Sequence, residues 1–237
     1  MGQPNYMEPY EENCPIPSTH EKCAEARYFL IECLFSYHTP QPFIFNLNAF
    51  IQAIRNITFM LQSENSKLIG FQEWYAHKRD EMRMQPTLRR LVEARNIVVK
   101  QNSLTSKSTV ACGLFRGRRM KLSMSTDITP FTKTETILEI TSKFVGNLFL
   151  GGKHEIIGEQ AGVERTWVVE ELGDGEVIAK CIDAMNYMIA LVEEAHQLSG
   201  CSSKLEFFGL ADMREFTVLL ETDTDPSLFE KWNWIEK

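Results

Sequence analysis

Arg95, Asn96 and Lys100 are the residues whose types and spacing come nearest to a catalytic constellation. They fall in Leu88–Lys100, where Leu88, Val92, Arg95 and Val99 follow helical steps, so Arg95 is expected on an apolar seam. A guanidinium cannot shed its charge there; it must meet a carboxylate, carbonyls or an anionic oxygen. Glu25, Glu32 and Glu73 are the candidate carboxylates, and a structural clamp between helices is the plainer reading. Asn96 and Lys100, four apart, share the neighbouring face. Lys100 could donate a proton or stabilise charge, and would act as a base only with its pKa strongly lowered.

Other combinations are weaker. Cys14, His20 and Cys23 offer three metal ligands at a spacing that fits no standard zinc pattern, so no metal site is expected. Gly152-Lys153-His154-Glu155 lacks the glycine spacing and the following Ser or Thr of a phosphate loop, and reads as a turn. Neither a Gly-x-Ser-x-Gly elbow nor a His-Glu-x-x-His pair occurs, and no cofactor is expected. The six cysteines form no Cys-x-x-Cys pair and read as small hydrophobes.

Charge is distributed unevenly. From Lys78 to Lys121 there are twelve basic and three acidic residues, a local +9 in a chain of net −7. Arg89, Arg90, Arg116, Arg118, Arg119 and Lys121 are the candidate phosphate-binding residues of such a basic face. Pairing with the acidic remainder is the alternative.

Behind these residues stand the elements that must position them. A length of 237 residues, 43% hydrophobic and 24% charged, fits one large or two small globular domains. Residues 1–18, with four prolines, read as an extended tail. Helical periodicity predicts a first helix from Thr19 with Cys23, Ala26, Leu30, Cys33 and Tyr37 inward. A second, Phe43–Gln62, buries Phe43, Leu47, Phe50, Ile54, Ile57 and Leu61. A third covers Leu68–Met84, and Pro86 opens the fourth. Short links favour antiparallel neighbours, hence a four-helix bundle over 19–102.

A polar linker follows at 102–109, and strand-prone runs occupy Val110–Phe115, Met120–Ser125, Thr136–Ile140, Thr166–Glu170, Leu205–Leu210 and Phe216–Leu220. One long helix, 176–198, with Val177, Cys181, Ala184, Met188, Leu191 and Ala195 inward, ends before Gly200. The expected class is α+β: the bundle, then a small antiparallel sheet with one long helix over 103–237, with the bundle as a surface on which that part could pack. The aromatic run Leu228–Ile235 is expected to dock on the body or on a partner subunit.

Arg95-Asn96 near the end of the last bundle helix resembles the HEPN superfamily, as does the wider pattern of Asn46–Phe50, Trp74-Tyr75 and Arg95-Asn96. The resemblance covers about 19–102, and the His of the family motif is replaced by the Lys100, Gln101, Asn102 window. It implies a homodimer, non-catalytic or weakly catalytic through a degenerate motif, that binds RNA or nucleotide phosphate through the basic face around the fourth helix. The alternatives are a metal-independent endoribonuclease using Arg95, Asn96 and Lys100, or an antitoxin-like protein-binding module in a toxin–antitoxin or defence system. Whether the chain is an enzyme stays open. With no run of about 18 apolar residues and no signal-peptide pattern, a cytoplasmic protein without a membrane span is expected.

Overall fold

The computed structural model describes residues 14–101, 104–148, 159–201, 205–210 and 212–228. The tail up to residue 13, the Gly152–Glu155 turn and the aromatic run beyond Leu228 lie outside the described residues. The chain adopts the expected α+β class. In order, it forms α1 (Pro17–Phe35), α2 (Pro40–Ser63), α3 (Phe71–Met84), α4 (Pro86–Gln101), β1 (Ser106–Arg116), β2 (Arg119–Ile128), α5 (Thr134–Leu148), β3 (Glu159–Val169), α6 (Val177–Gln197), the short α7 (Arg214–Thr217), β4 (Val218–Leu220) and α8 (Glu221–Thr224).

Two compact units share these elements. The first takes α1 up to Cys33, α2 from Ile44, α3, α4 and the segment Val169–Gly209, which contains α6. Its core is the apolar face of each helix: Cys23, Ala26 and Leu30 of α1, Leu47, Phe50, Ile54 and Ile57 of α2, and Cys181, Met185, Met188 and Val192 of α6 are all buried. These are the stripes that a 3.6-residue period demands. In α4 the buried positions are Leu88, Leu91 and Ala94, whereas Val92 and Val99 are 41% and 51% exposed. The helix is therefore turned by about one residue from the Leu88–Val92–Arg95 seam, because the Leu91 and Ala94 side is the one that packs.

A 3-10 turn at Glu170–Leu172 lies against α4 in this unit. Arg90 donates to the Leu172 carbonyl at 3.1 Å. Gly173 follows with φ +86°, and a Cβ there would fall 1.5 Å from an Arg90 guanidinium nitrogen. Glycine is required there by the backbone, φ +86° with ψ −177°; the guanidinium end of Arg90 could shift to admit a methyl.

The second unit holds Leu34–Phe43, Ser106–Val168 and Leu210–Lys237. Its four-stranded sheet has the order β2-β1-β3-β4, with β1–β2 and β3–β4 antiparallel. Gly113 faces Ser123 in the β1–β2 ladder, and a Cβ on it would meet the Leu122 carbonyl at 2.0 Å. The run Thr136–Ile140, expected as a strand, is instead part of α5. Leu138, Thr141 and Val145 repeat at helical spacing there and are buried. Leu205–Leu210 carries no regular element, and the last strand shortens to Val218–Leu220.

On β3, an interior strand, Ala161, Val163, Arg165, Trp167 and Val169 alternate onto the buried face. Arg165 is 0% exposed. Its guanidinium donates to Ser108 Oγ (2.9 Å), the Thr132 carbonyl (2.8 Å), Thr134 Oγ1 (3.1 Å) and the Pro130 carbonyl (2.7 Å). Trp167 donates through Nε1 to the Tyr37 carbonyl at 3.0 Å, and the Tyr37 hydroxyl returns a bond to the Arg165 carbonyl at 2.8 Å. Phe43 stacks on Trp167 at 4.6 Å between centroids.

Candidate functional site

The helical unit contains a cavity of about 270 Å³. One face of α2 supplies Ile51, Ile54, Arg55, Thr58 and Gln62, at the i, i+3, i+4 steps of a helix face. From α3 come Tyr75, Arg79, Met82 and Arg83; α4 adds Leu88, Arg89, Leu91 and Val92, and α6 adds Met188. The walls are aliphatic, and four guanidinium-bearing side chains belong to the lining. Arg55 is half-buried, donates to Thr58 Oγ1 at 2.6 Å and lies 4.4 Å over the Phe59 ring. Arg83 pairs with Asp80 at 3.1 Å. Burial pushes the Tyr75 phenol up from its ordinary value, against the opposing charges of Arg55 and Arg79 and a bond to Thr58. Positive charge thus gathers around an apolar hollow, an arrangement that favours an anionic ligand with a hydrocarbon body.

At another place in the same unit, three side chains converge. His20 Nε2 and His196 Nε2 are 3.0 Å apart, and Cys14 Sγ lies 3.4 Å from the same His196 nitrogen. All three ligand atoms lie within 4.8 Å of one another, and both histidines are buried. His196 Nδ1 is 2.8 Å from the Val192 carbonyl, so that nitrogen carries the proton and Nε2 presents its lone pair. Burial, and then the His196 charge, hold the His20 pKa down to about 4. Burial raises the Cys14 thiol pKa, and the nearby Glu64 and Cys201 charges act in the same direction. The Cys23 thiol, by contrast, is enclosed in the core and pushed up to about 12 by burial. The sequence reading set Cys14 and His20 beside Cys23 and expected no metal site; in the fold Cys23 stands apart, and His196 is the residue that meets the other two. The available signal was Cys14-x5-His20 mirrored by His196-x4-Cys201 at the far end of the chain.

The other sequence candidates are scattered. Arg95 is half-buried, and among the described residues it pairs with no carboxylate; Asn96 and Lys100 are exposed. Arg89 lines the cavity, and Arg90 serves the Leu172 carbonyl. Arg116 pairs with Glu159 at 2.8 Å, and Arg118 grips Asp223 through two bonds of 3.0 Å each. Arg119 and Lys121 are exposed on β2. Arg89 and Arg90 belong to one compact unit and Arg116 to Lys121 to the other, so the basic stretch of sequence is divided between them. Of the other cavity arginines, Arg79 and Arg83 enter the sequence reading only as part of the Lys78–Lys121 basic stretch, and Arg55 lies outside it. Arg55 follows Ile51, and Arg79 follows Tyr75, by four residues each, and that placement of a cation behind an inward residue was the readable sign.

These features define an α+β protein with a cavity-bearing helical unit and a sheet unit, and no helix among the described residues is long and apolar enough to cross a membrane. The chain belongs to the family described as bacteriophage lambda protein ea47, whose sequence model matches residues 6–217. Protein ea47 of Escherichia phage lambda is 26% identical over 149 residues, which cover 62% of this chain and 35% of that protein. The matched part is thus about a third of the relative's length. No solved structure matches the chain.

This membership corrects the HEPN resemblance. The family match runs through the helices and the sheet together, whereas Arg95-Asn96 is a dipeptide on a partly exposed helix face. The readings that rested on the resemblance fall with it: RNA or nucleotide-phosphate binding, the endoribonuclease, and the antitoxin-like module of a toxin–antitoxin or defence system.

Proposed function

We propose that this protein is a small-ligand-binding protein whose helical unit takes an organic anion with an apolar body, such as a medium-chain or aryl carboxylate. The observation that carries this reading is the set Arg55, Arg79, Arg83 and Arg89 around aliphatic walls. A cavity of 270 Å³ sits just below the ~300–1,000 Å³ range of drug-sized pockets, so the ligand is small. The aliphatic lining disfavours a densely charged ligand, since burying charge without full pairing is costly.

The test is fluorescence titration with anilinonaphthalene sulfonate, an apolar anion, followed by displacement with decanoate and with decanol. Saturable binding displaced by decanoate much better than by decanol supports the reading. Equal displacement by both, or failure of an Ile54→Trp filling variant to reduce binding, defeats it.

A second observation favours a homodimer. β2 is an edge strand, and its Leu122 and Met124 are 51% and 72% exposed on one face. An open edge with apolar side chains is a template for pairing with a second copy. Light scattering of the native chain should give a dimer mass, and Leu122→Lys with Met124→Lys should give a monomer. The described cysteines are all free thiols, which suits a reducing compartment such as the cytosol of a host cell.

A further inference from the structure

We propose that Cys14, His20 and His196, joined by Cys201, form a tetrahedral zinc site that ties the segment before α1 and its first turn to the end of α6. The geometry carries the assignment. Zn–N bonds of ~2.0–2.1 Å and Zn–S bonds of ~2.3 Å at tetrahedral angles set ligand separations of roughly 3.3 Å for N···N and 3.5 Å for S···N. The pairs here stand at 3.0 Å and 3.4 Å. Each contact alone is an ordinary hydrogen bond, but one neutral imidazole nitrogen has a single lone pair, and here a second imidazole and a thiol converge on the same His196 Nε2.

The surrounding contacts match what a ligating histidine requires. The Val192 carbonyl holds the His196 proton on Nδ1 and leaves Nε2 for the metal, the second contact that metal-bound histidines characteristically make. The two rings meet edge to face, 74° apart, and do not stack, which leaves the space between their Nε2 atoms open to a shared ion.

Cys201 completes the set. After α6 the chain turns at Gly200, with φ +74°, and the Cys201 amide donates back to the His196 carbonyl at 3.2 Å. The Cys201 thiol, now directed at the Ser199 carbonyl 3.9 Å away, lies within electrostatic reach of Cys14, and it is the fourth ligand we assign to the Cys14, His20 and His196 cluster. Two thiolates and two imidazoles are a closed structural zinc set, with no position left for a substrate. Deprotonation of the two thiols on binding releases two protons and leaves a neutral centre.

The experiment is metal analysis of the full chain purified under reducing conditions without chelator, paired with cobalt substitution. The expected result is one zinc per chain, released by a thiol-modifying mercurial, and a cobalt form with thiolate charge-transfer and tetrahedral ligand-field bands. Cys14→Ser and Cys201→Ser should each cut the charge-transfer intensity about twofold; Cys23→Ser and Cys112→Ser should leave it unchanged. Strong chelation should lower the Tm of the native chain and leave that of a His20→Ala variant unmoved. Substoichiometric zinc, a Cys201→Ser spectrum identical to the native one, or a Cys14–Cys201 disulfide in freshly isolated protein overturns the site as assigned. The organic-anion cavity shares none of these four residues, so ligand titration and metal content fail or succeed independently.

Discussion

The Arg165 guanidinium sits 3.9 Å over the ring of Trp167, two residues along the same buried face of β3. The cation is desolvated, and it is held by the ring and by carbonyl and hydroxyl oxygens from β1 and from the turn before α5. A buried cation–aromatic contact contributes about 2 kcal/mol, and each charged hydrogen bond adds to it. Trp167 in turn anchors Tyr37 and Phe43, so this one strand position organises the sheet unit.

Replacing Arg165 by Met should therefore cost about 3 kcal/mol or more, because the Pro130 and Thr132 carbonyls lose their donors inside the protein. Arg165→Lys keeps the charge but not the planar fork that reaches separate acceptors at once, and should recover only part of the loss. Urea unfolding followed by Trp fluorescence measures both. Wild-type stability in the Met variant would show that the network contributes nothing net.

His38 provides a pH dependence. Burial first, and then the Arg165 charge, hold its pKa at about 4 against an ordinary 6.5, and its Nδ1 is buried without a hydrogen-bond partner. The folded state thus keeps it neutral while the unfolded chain takes up a proton below 6.5. Stability is fully present above that pH and falls between 6.5 and about 4, by about 3 kcal/mol at most for this residue. His20 acts with the same sign when no metal is bound. Thermal melts from pH 8 to 4 should be flat and then decline, and His38→Gln should shallow the decline.

Gly173→Ala tests the Arg90 contact. The substitution imposes a left-handed backbone on alanine and drives its methyl into the guanidinium. A loss of about 1–3 kcal/mol is expected. In an Arg90→Ala background the steric part, small because the guanidinium end can shift, should vanish, leaving most of the loss as backbone strain at φ +86°, ψ −177°. Full additivity of the two changes would mean that they do not interact.

In the cavity, Arg79→Ala and Arg89→Ala should each weaken anilinonaphthalene sulfonate binding about tenfold, equivalent to ~1.4 kcal/mol. Both side chains are exposed, so the folded state should tolerate the changes. Raising the salt concentration should weaken native binding more than that of the double variant. A salt-independent affinity would argue that the arginines play no electrostatic part.

The inward faces of α1, α2 and α6 were legible from periodicity alone, because a helix that must bury one face writes that need into every third or fourth residue. Cys23, Leu30, Phe50, Ile57, Cys181 and Leu191 are buried where the pattern placed them. Thr136–Ile140 was misread because a five-residue β-branched run looks alike in a strand and in an amphipathic helix; Thr141 and Val145, farther along, settle it as α5. Arg95 was misplaced because Val92 and Leu91 are equally apolar on paper, and only the packing of α4 selects Leu91.

What the sequence determined by itself was the amphipathic helices, the α+β order and the uneven charge, all properties of neighbours within a few residues. Tertiary structure decided the rest. His196 stands 176 positions from His20 yet 3.0 Å away, Arg165 is enclosed by segments from three parts of the chain, and the basic stretch is parted between two units. Local spacing constrains a residue's face; only the packing of distant segments brings side chains into one small volume, where distance and burial give them their chemistry.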